Sequence, residues 1–202
     1  MRLLLVVLGL TLAGCSHPSA QLSPPKLTSP PSFTPAAPDV GVSSVAIPSI
    51  GLNDNLTMQV VKQPDGSLGV PPLTSPRMIG WYRQSPVPGD NSCDHPCVGR
   101  SVVVAHINAN HVEGAFAELA KVKVGATIAV GRTDAQTATF KVTRTLVIAK
   151  SKFPTDDVYG PAKEAELVAI TCGPDAYNAK THNYENQTIV WATLVSLKPT
   201  GP

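Results

Sequence analysis

The stretch that most constrains this chain is Glu166-Leu167-Val168-Ala169-Ile170-Thr171-Cys172, followed at once by Gly173-Pro174. An apolar, β-branched run of this kind reads as a strand. Pro174 has no N–H for a ladder and Gly173 is free to turn, so the strand must stop there. Cys172 therefore stands at the lip of a sheet. After a polar loop, Gln187-Thr188-Ile189-Val190-Trp191-Ala192-Thr193-Leu194 supplies a second apolar run, and Ser101-Val102-Val103-Val104-Ala105 leads in the same way into His106 and the polar Asn108-Ala109-Asn110. A thiol at one strand end and an imidazole at another are what a Cys/His nucleophile pair needs, with the fold bringing together groups distant in sequence. The structural alternatives are a buried inert cysteine and a hydrogen-bonded core histidine. His95, His111 and His182 compete with His106 for the role of acid or base.

At 202 residues and 43% hydrophobic, the chain can bury one good core, and its extra length lies in a tail rather than a second domain. A net charge of +2 from scattered residues argues against a nucleic-acid groove or a polybasic membrane patch. An aromatic content of 5% argues against a platform for stacking bases.

The N-terminus has the form of an export signal: a positive start at Met1-Arg2, an apolar core over residues 3–12 too short to span a bilayer, and small residues at Ala13-Gly14. Leu12-Ala13-Gly14-Cys15-Ser16 resembles the lipobox of bacterial lipoproteins, which implies that Cys15 becomes the acylated first residue; the alternative is an ordinary secretory signal. Residues 16–41 are rich in Pro, Ser and Thr and cannot bury a core. At about 3.1 Å per residue in extended polyproline form, such a tether would hold the domain several tens of ångströms off a membrane. The expected location is the outer face of the cytoplasmic membrane, with the folded part, residues 42–198, facing the cell wall.

Within that part, residues 42–48 and 55–61 read as strands, with Pro64-Asp65-Gly66 a turn. Residues 70–90, with their prolines and Gly80-Trp81-Tyr82-Arg83, read as an ordered loop carrying exposed aromatics. In residues 111–121, Val112, Ala115, Phe116 and Leu119 are spaced for one face of a short helix. Residues 127–131 and 137–149 look like a further strand pair. Short strands, one or two short helices and no βαβ alternation argue for a mainly β, closed or nearly closed barrel.

In an exported chain cysteines tend to pair, and Cys93-Asp94-His95-Pro96-Cys97 favours a small disulfide ring between Cys93 and Cys97. The rival is a tetrahedral metal site using the two thiolates with His95, His106 or His111. With Cys15 acylated and Cys93 paired to Cys97, Cys172 is the one remaining thiol. No cofactor or resident metal is expected.

Four stretches, in order and spacing, resemble the bacterial sortases, and most of all their class F (class E/F) branch. They are Pro64-Asp65-Gly66-Ser67-Leu68-Gly69-Val70-Pro71 with Gly80-Trp81-Tyr82 and Pro88-Gly89; Val102-Val103-Val104-Ala105-His106-Ile107; Phe153-Pro154-Thr155-Asp156-Asp157-Val158-Tyr159-Gly160; and residues 167–173 with Ile170-Thr171-Cys172-Gly173. The resemblance implies an eight-stranded sortase barrel with a groove floored by the strands that bear His106 and Cys172. It implies a cysteine transpeptidase: Cys172 thiolate attacks the carbonyl after Thr in a Leu-Pro-x-Thr-Gly-like sorting signal, His106 imidazolium protonates the leaving amine, and an amine of a peptidoglycan precursor or pilin lysine resolves the thioester. A neighbouring His⁺ would favour the thiolate, and Thr171 would orient the strand end. The implied protein is a monomer.

One departure bears on the chemistry. Sortases carry an arginine on the strand after the cysteine loop, and in register that place falls at or near Glu185, with no arginine anywhere after Arg144. Losing one preorganised oxyanion donor costs roughly 3 kcal/mol in a transition state. The candidates to replace it are Lys180, Asn183, Tyr184, Gln187 and Arg100. Asn108 also stands where an aspartate is common. Two readings follow: an active membrane-tethered transpeptidase, or a sortase-fold lipoprotein that binds a peptide or cell-wall partner without turnover. An L,D-transpeptidase is set aside, because its Ser/Thr-His-Gly-Cys signature is absent around Cys172.

Overall fold

A computed structural model describes residues 40–90, 99–174, 177–181 and 183–201. Cys15, residues 16–39 of the tether, the Cys93/Cys97 pair, His95 and His182 lie outside the described residues.

The strands are β1 (Val42–Ile47), β2 (Leu52–Asp54), β3 (Thr57–Val60), β4 (Ile79–Tyr82), β5 (Arg100–Ala105), β6 (Asn108–Ala109), β7 (Val112–Glu113), β8 (Thr127–Arg132), β9 (Gln136–Ala149), β10 (Glu166–Cys172), β11 (Tyr177–Asn178), β12 (Asn183–Tyr184) and β13 (Asn186–Pro199), with one helix, α1 (Thr155–Tyr159). Among the described residues the main sheet has nine strands in the order β2-β1-β8-β9-β13-β10-β5-β4-β3. The sheet nearly closes on itself, because Thr57 Oγ1 donates to Val42 O at 2.8 Å and holds β3 at one end against β1, next to the other end. The result is the mainly β, nearly closed barrel expected. It counts nine strands rather than eight because the chain leaves β1 through a 3₁₀ turn at Pro48–Ile50, reverses at Gly51 with φ 68°, and re-pairs as β2.

The centre of the sheet is covered on both faces, which is why the run ending at Cys172 is apolar throughout instead of alternating. One face, with Val103, Ala105, Leu167, Ala169 and Val190, packs into the main core around Phe116 and Phe140. The other, with Val102, Val168, Ile170, Ile189 and Trp191, forms a second cluster with Val158 of α1. A five-residue helix cannot hold itself together in water. It is held from outside: Trp191 Nε1 donates to Asp157 O at 2.8 Å, while Arg144 lies 3.7 Å over the Trp191 ring and pairs with Asp157 at 3.2 Å.

Two expectations are corrected. Residues 111–121 are not a helix. Gly114 and Phe116 spend their N–H groups on Ile107 O and His106 O, just past β5, and the bonds within the segment are tight turns such as Ala117 N–H to Gly114 O rather than α-helical ones, with Leu119–Lys121 a 3₁₀ turn. Ala115, Phe116 and Leu119 are buried all the same, whereas Val112 is exposed. Trp81 is not an exposed loop aromatic either. It is 4% exposed on β4, in register with Val103 of β5, so the prolines around it flank a strand instead of excluding one.

Candidate active site

β10 runs parallel to β5 with partners 66 positions apart, from Glu166 opposite Arg100 to Ile170 opposite Val104. Carrying that offset two residues further sets Cys172 opposite His106. Between them Thr171, 3% exposed, donates Oγ1 to Ala105 O at 2.8 Å, so the residues just before the thiol and the imidazole are bonded to each other. Neighbouring strands lie about 4.8 Å apart, and residues in parallel register point to the same face. Cys172 and His106 therefore continue the face of Val168, Ile170, Val102 and Val104, while Thr171 points into the core. That register carries the thiol and the imidazole toward the same end of the sheet; His111 lies exposed beyond β6.

The face they share carries a groove of about 360 Å³, lined by Leu68, Val104, Lys150, Phe153, Ile170 and Gln187 among others. An adjoining recess of about 220 Å³ is flanked by Lys62, Tyr82 and Tyr159. Burial, with Tyr82 as a smaller cause, pushes the Tyr159 hydroxyl up to about 12, so it is a neutral phenol at physiological pH. His106 is half-buried, and its Nε2–H donates to Pro71 O at 2.6 Å. Pro71 ends the stretch whose turn is set by Gly66, at φ 88°, and by Asp65, which accepts the Ser67 N–H and hydroxyl at 2.9 and 2.7 Å.

Cys172 is a free, half-buried thiol. Burial pushes its pKa up, and the charge and hydrogen bond of the Lys150 ammonium pull the other way. Desolvation is the larger influence, and the charge that pulls the other way is that of a lysine. Lys150 opens the 3₁₀ turn Lys150–Lys152 that ends β9. Its N–H donates to Glu185 O and its Nζ to Asn183 Oδ1, both at 2.8 Å. The sheet register explains its reach: Cys172 pairs with Gln187, Gln187 with Ile148, and Lys150 is the next residue on the Ile148 side of β9.

The candidates to replace the arginine separate clearly. Arg100 is excluded: it begins β5, six residues and roughly 20 Å from His106, and is held by Glu166 at 2.6 Å and by the Gly160 and Pro161 carbonyls at 3.1 and 3.0 Å. Lys180 is exposed in the turn between β11 and β12, its N–H on Asn178 Oδ1. The Tyr184 hydroxyl accepts Asn108 Nδ2 at 2.6 Å, and its ring meets Tyr177 edge-on. Gln187 lines the groove next to Cys172 in register. Asn183 is present as the acceptor that steadies Lys150. Glu185, at the place of the missing arginine, is exposed, and its Oε1 accepts Asn178 Nδ2 at 2.6 Å. Lys150 is the residue sequence reasoning missed. Its signal was the alternation Leu146, Ile148, Lys150 along one face, but the pairing of β9 with β13 that carries it to Cys172 is not written in local periodicity.

A family model described as "Sortase domain" matches residues 45–195 of the chain. Among solved structures it is similar to sortase A of Listeria monocytogenes, at 20% identity over 79% of this chain and 90% of that one, with a TM-score of 0.56. It is similar to a lid mutant of sortase A from Corynebacterium diphtheriae at 21% identity, covering 80% and 73%, TM-score 0.56. A sortase D5 transpeptidase of Clostridium perfringens is similar at 19% identity, covering 77% and 79%, TM-score 0.54. A search of curated proteins gives no match. At these identities the structural likeness speaks for the fold.

Proposed function

The chain belongs to the sortase family, and from that premise we propose that it is a membrane-tethered cysteine transpeptidase of the class F (class E/F) type, acting on a Leu-Pro-x-Thr-Gly-like sorting signal. The observation that supports the reading is the constant offset of 66 between β5 and β10, locked by the Thr171–Ala105 bond, which, carried two residues on, aligns Cys172 with His106. In the ionised form, Cys172 Sγ attacks the carbonyl carbon after Thr, and the carbonyl π pair moves to oxygen. Collapse of the oxyanion restores the C=O bond and expels the amide nitrogen, which takes a proton from His106 imidazolium and leaves as an amine. An amine of a peptidoglycan precursor or pilin lysine then attacks the thioester, gives its proton to neutral His106, and releases the thiolate. The apolar floor of Val104 and Ile170 with Phe153 suits the apolar start of such a signal. Acylation of Cys15 and the tether over residues 16–41, both read from the sequence, would hold the domain on the outer face of the membrane, toward the wall.

One observation favours a second reading, a peptide-binding lipoprotein without turnover: burial raises the Cys172 thiol instead of activating it. The test mixes the 202-residue chain with Leu-Pro-x-Thr-x peptides and hydroxylamine, beside a Cys172→Ala control. Hydroxamate that appears with the wild type and vanishes in the control is the predicted result. Peptide binding with no hydroxamate would replace the transpeptidase with the binding protein.

A further inference from the structure

We propose that Lys150 is the catalytic cation of this site: its ammonium neutralises the Cys172 thiolate and then holds the oxyanion, the work given to the arginine that this chain lacks. The inference rests on the transpeptidase reading and adds a residue to it. Three observations carry it. The registers Cys172–Gln187 and Gln187–Ile148 bring Lys150 to the thiol's end of the sheet, where it lines the groove with Gln187 and its charge favours the thiolate against burial. It is fixed at both ends, by its backbone N–H on Glu185 O and by its Nζ on Asn183 Oδ1, so its charge is preorganised. And the other charged groups on the neighbouring elements are spent or turned to water: Arg100 is bound at the far end of β5, Glu185 accepts Asn178, and Lys152 and Lys180 are exposed. His106, the remaining titratable neighbour, holds Pro71 O and is the proton carrier.

An ammonium has three donors. Asn183 takes one, which leaves two for the sulfur and for a carbonyl oxygen arriving at that sulfur. As attack proceeds, negative charge leaves Sγ and gathers on that oxygen; Nζ–H needs only to follow it, and no proton is transferred by Lys150. The loop residues that hold Lys150 are the ones around the place where the arginine would stand. The chain has therefore kept the position of the charge while moving its source from the strand after the cysteine loop to the end of β9.

The test compares wild type with Lys150→Met, Lys150→Gln and Lys150→Arg by two readouts. The first is the pH dependence of Cys172 alkylation by iodoacetamide, which does not depend on peptide turnover. The second is hydroxamate formation resolved into kcat and KM. In Lys150→Met the alkylation midpoint should move to higher pH and kcat should fall about 100-fold with KM little changed, the scale set by loss of one preorganised oxyanion donor. Lys150→Arg should return the midpoint and much of kcat, which a purely structural role for the side chain would not require. If Lys150→Met fails to fold, Lys150→Gln, which keeps a polar hydrogen-bonding end without the charge, gives the same reading. Unchanged alkylation profiles in the neutral variants would overturn the proposal, as would peptide found amide-linked to Lys150, which would make it an acceptor. A wild type that forms no hydroxamate sinks the transpeptidase reading instead, and the alkylation profiles still decide the pairing of Lys150 with Cys172.

Discussion

Replacing Thr171 by valine removes one hydroxyl and keeps the shape of the side chain, so it isolates the clasp between the two strand ends. Thr171 is 3% exposed and its Oγ1 lies 2.8 Å from Ala105 O, in a part of the sheet that water does not reach. Valine leaves no cavity; the cost is the bond itself and a buried carbonyl deprived of its donor. Together these come to about 2 kcal/mol, or a fall in Tm of about 4–8 °C for a chain of this size. The kinetic effect follows from position. Without the clasp the ends of β5 and β10 are free to shift by a fraction of an ångström to an ångström, and misplacement on that scale costs on the order of 10- to 100-fold in rate. Thr171→Ser is the control: it keeps the hydroxyl and loses a buried methyl, worth about 1 kcal/mol. Thermal unfolding and hydroxamate kinetics on wild type and both variants decide it. Serine should cost stability while largely sparing kcat, and valine should lose both. Equal rates in the two variants, or a valine variant as stable and as fast as wild type, would refute the reasoning.

Other outcomes follow from the same geometry. Burial raises the Cys172 thiol above its ordinary value of 9.0, so the folded state favours the protonated form; the associated stability is fully present below that ordinary value and is lost as pH rises through the folded one. Denaturation midpoints taken up to about pH 10.5 should therefore fall more steeply in wild type than in Cys172→Ser once past about pH 9. Thr188 is 1% exposed, and its hydroxyl has no partner among the described residues. Thr188→Val should raise stability by about 1 kcal/mol, measured by denaturant titration. A Cβ added at Gly173 would stand 2.6 Å from Asn186 Cβ, where the Gly173 N–H bonds Asn186 O at 2.8 Å. Gly173→Ala should force β10 and β13 apart at the thiol, costing about 1–3 kcal/mol in the same titration and lowering hydroxamate yield.

The strand ends at Cys172 and His106 were legible because a β-branched run stopped by Gly173-Pro174, and another stopped by a polar turn, are local signals. That these two ends lie side by side is a non-local fact. The parallel pairing of β5 with β10 could be had from the resemblance but not from periodicity. Gly173-Pro174 does end the strand, but Gly173 is needed for close approach to Asn186 rather than for freedom to turn. Residues 111–121 misled because Ala115, Phe116 and Leu119 are core residues at helical spacing, yet the backbone that carries them is claimed by the end of β5. Trp81 was hidden by its prolines. Lys150 was out of reach because its partner on β10 lies two strands away, and only the registers of β9 with β13 and β13 with β10 connect them.

The central claim, that Cys172 forms a thioester with a sorting-signal peptide, is tested most directly by intact mass. The 202-residue chain is incubated with a Leu-Pro-x-Thr-x peptide, quenched in acid and weighed, and the adduct is located by digestion. The account predicts a mass gain equal to the peptide cut after Thr, carried on Cys172 and removed by hydroxylamine. An adduct on another residue, or one that persists in Cys172→Ala, would contradict it.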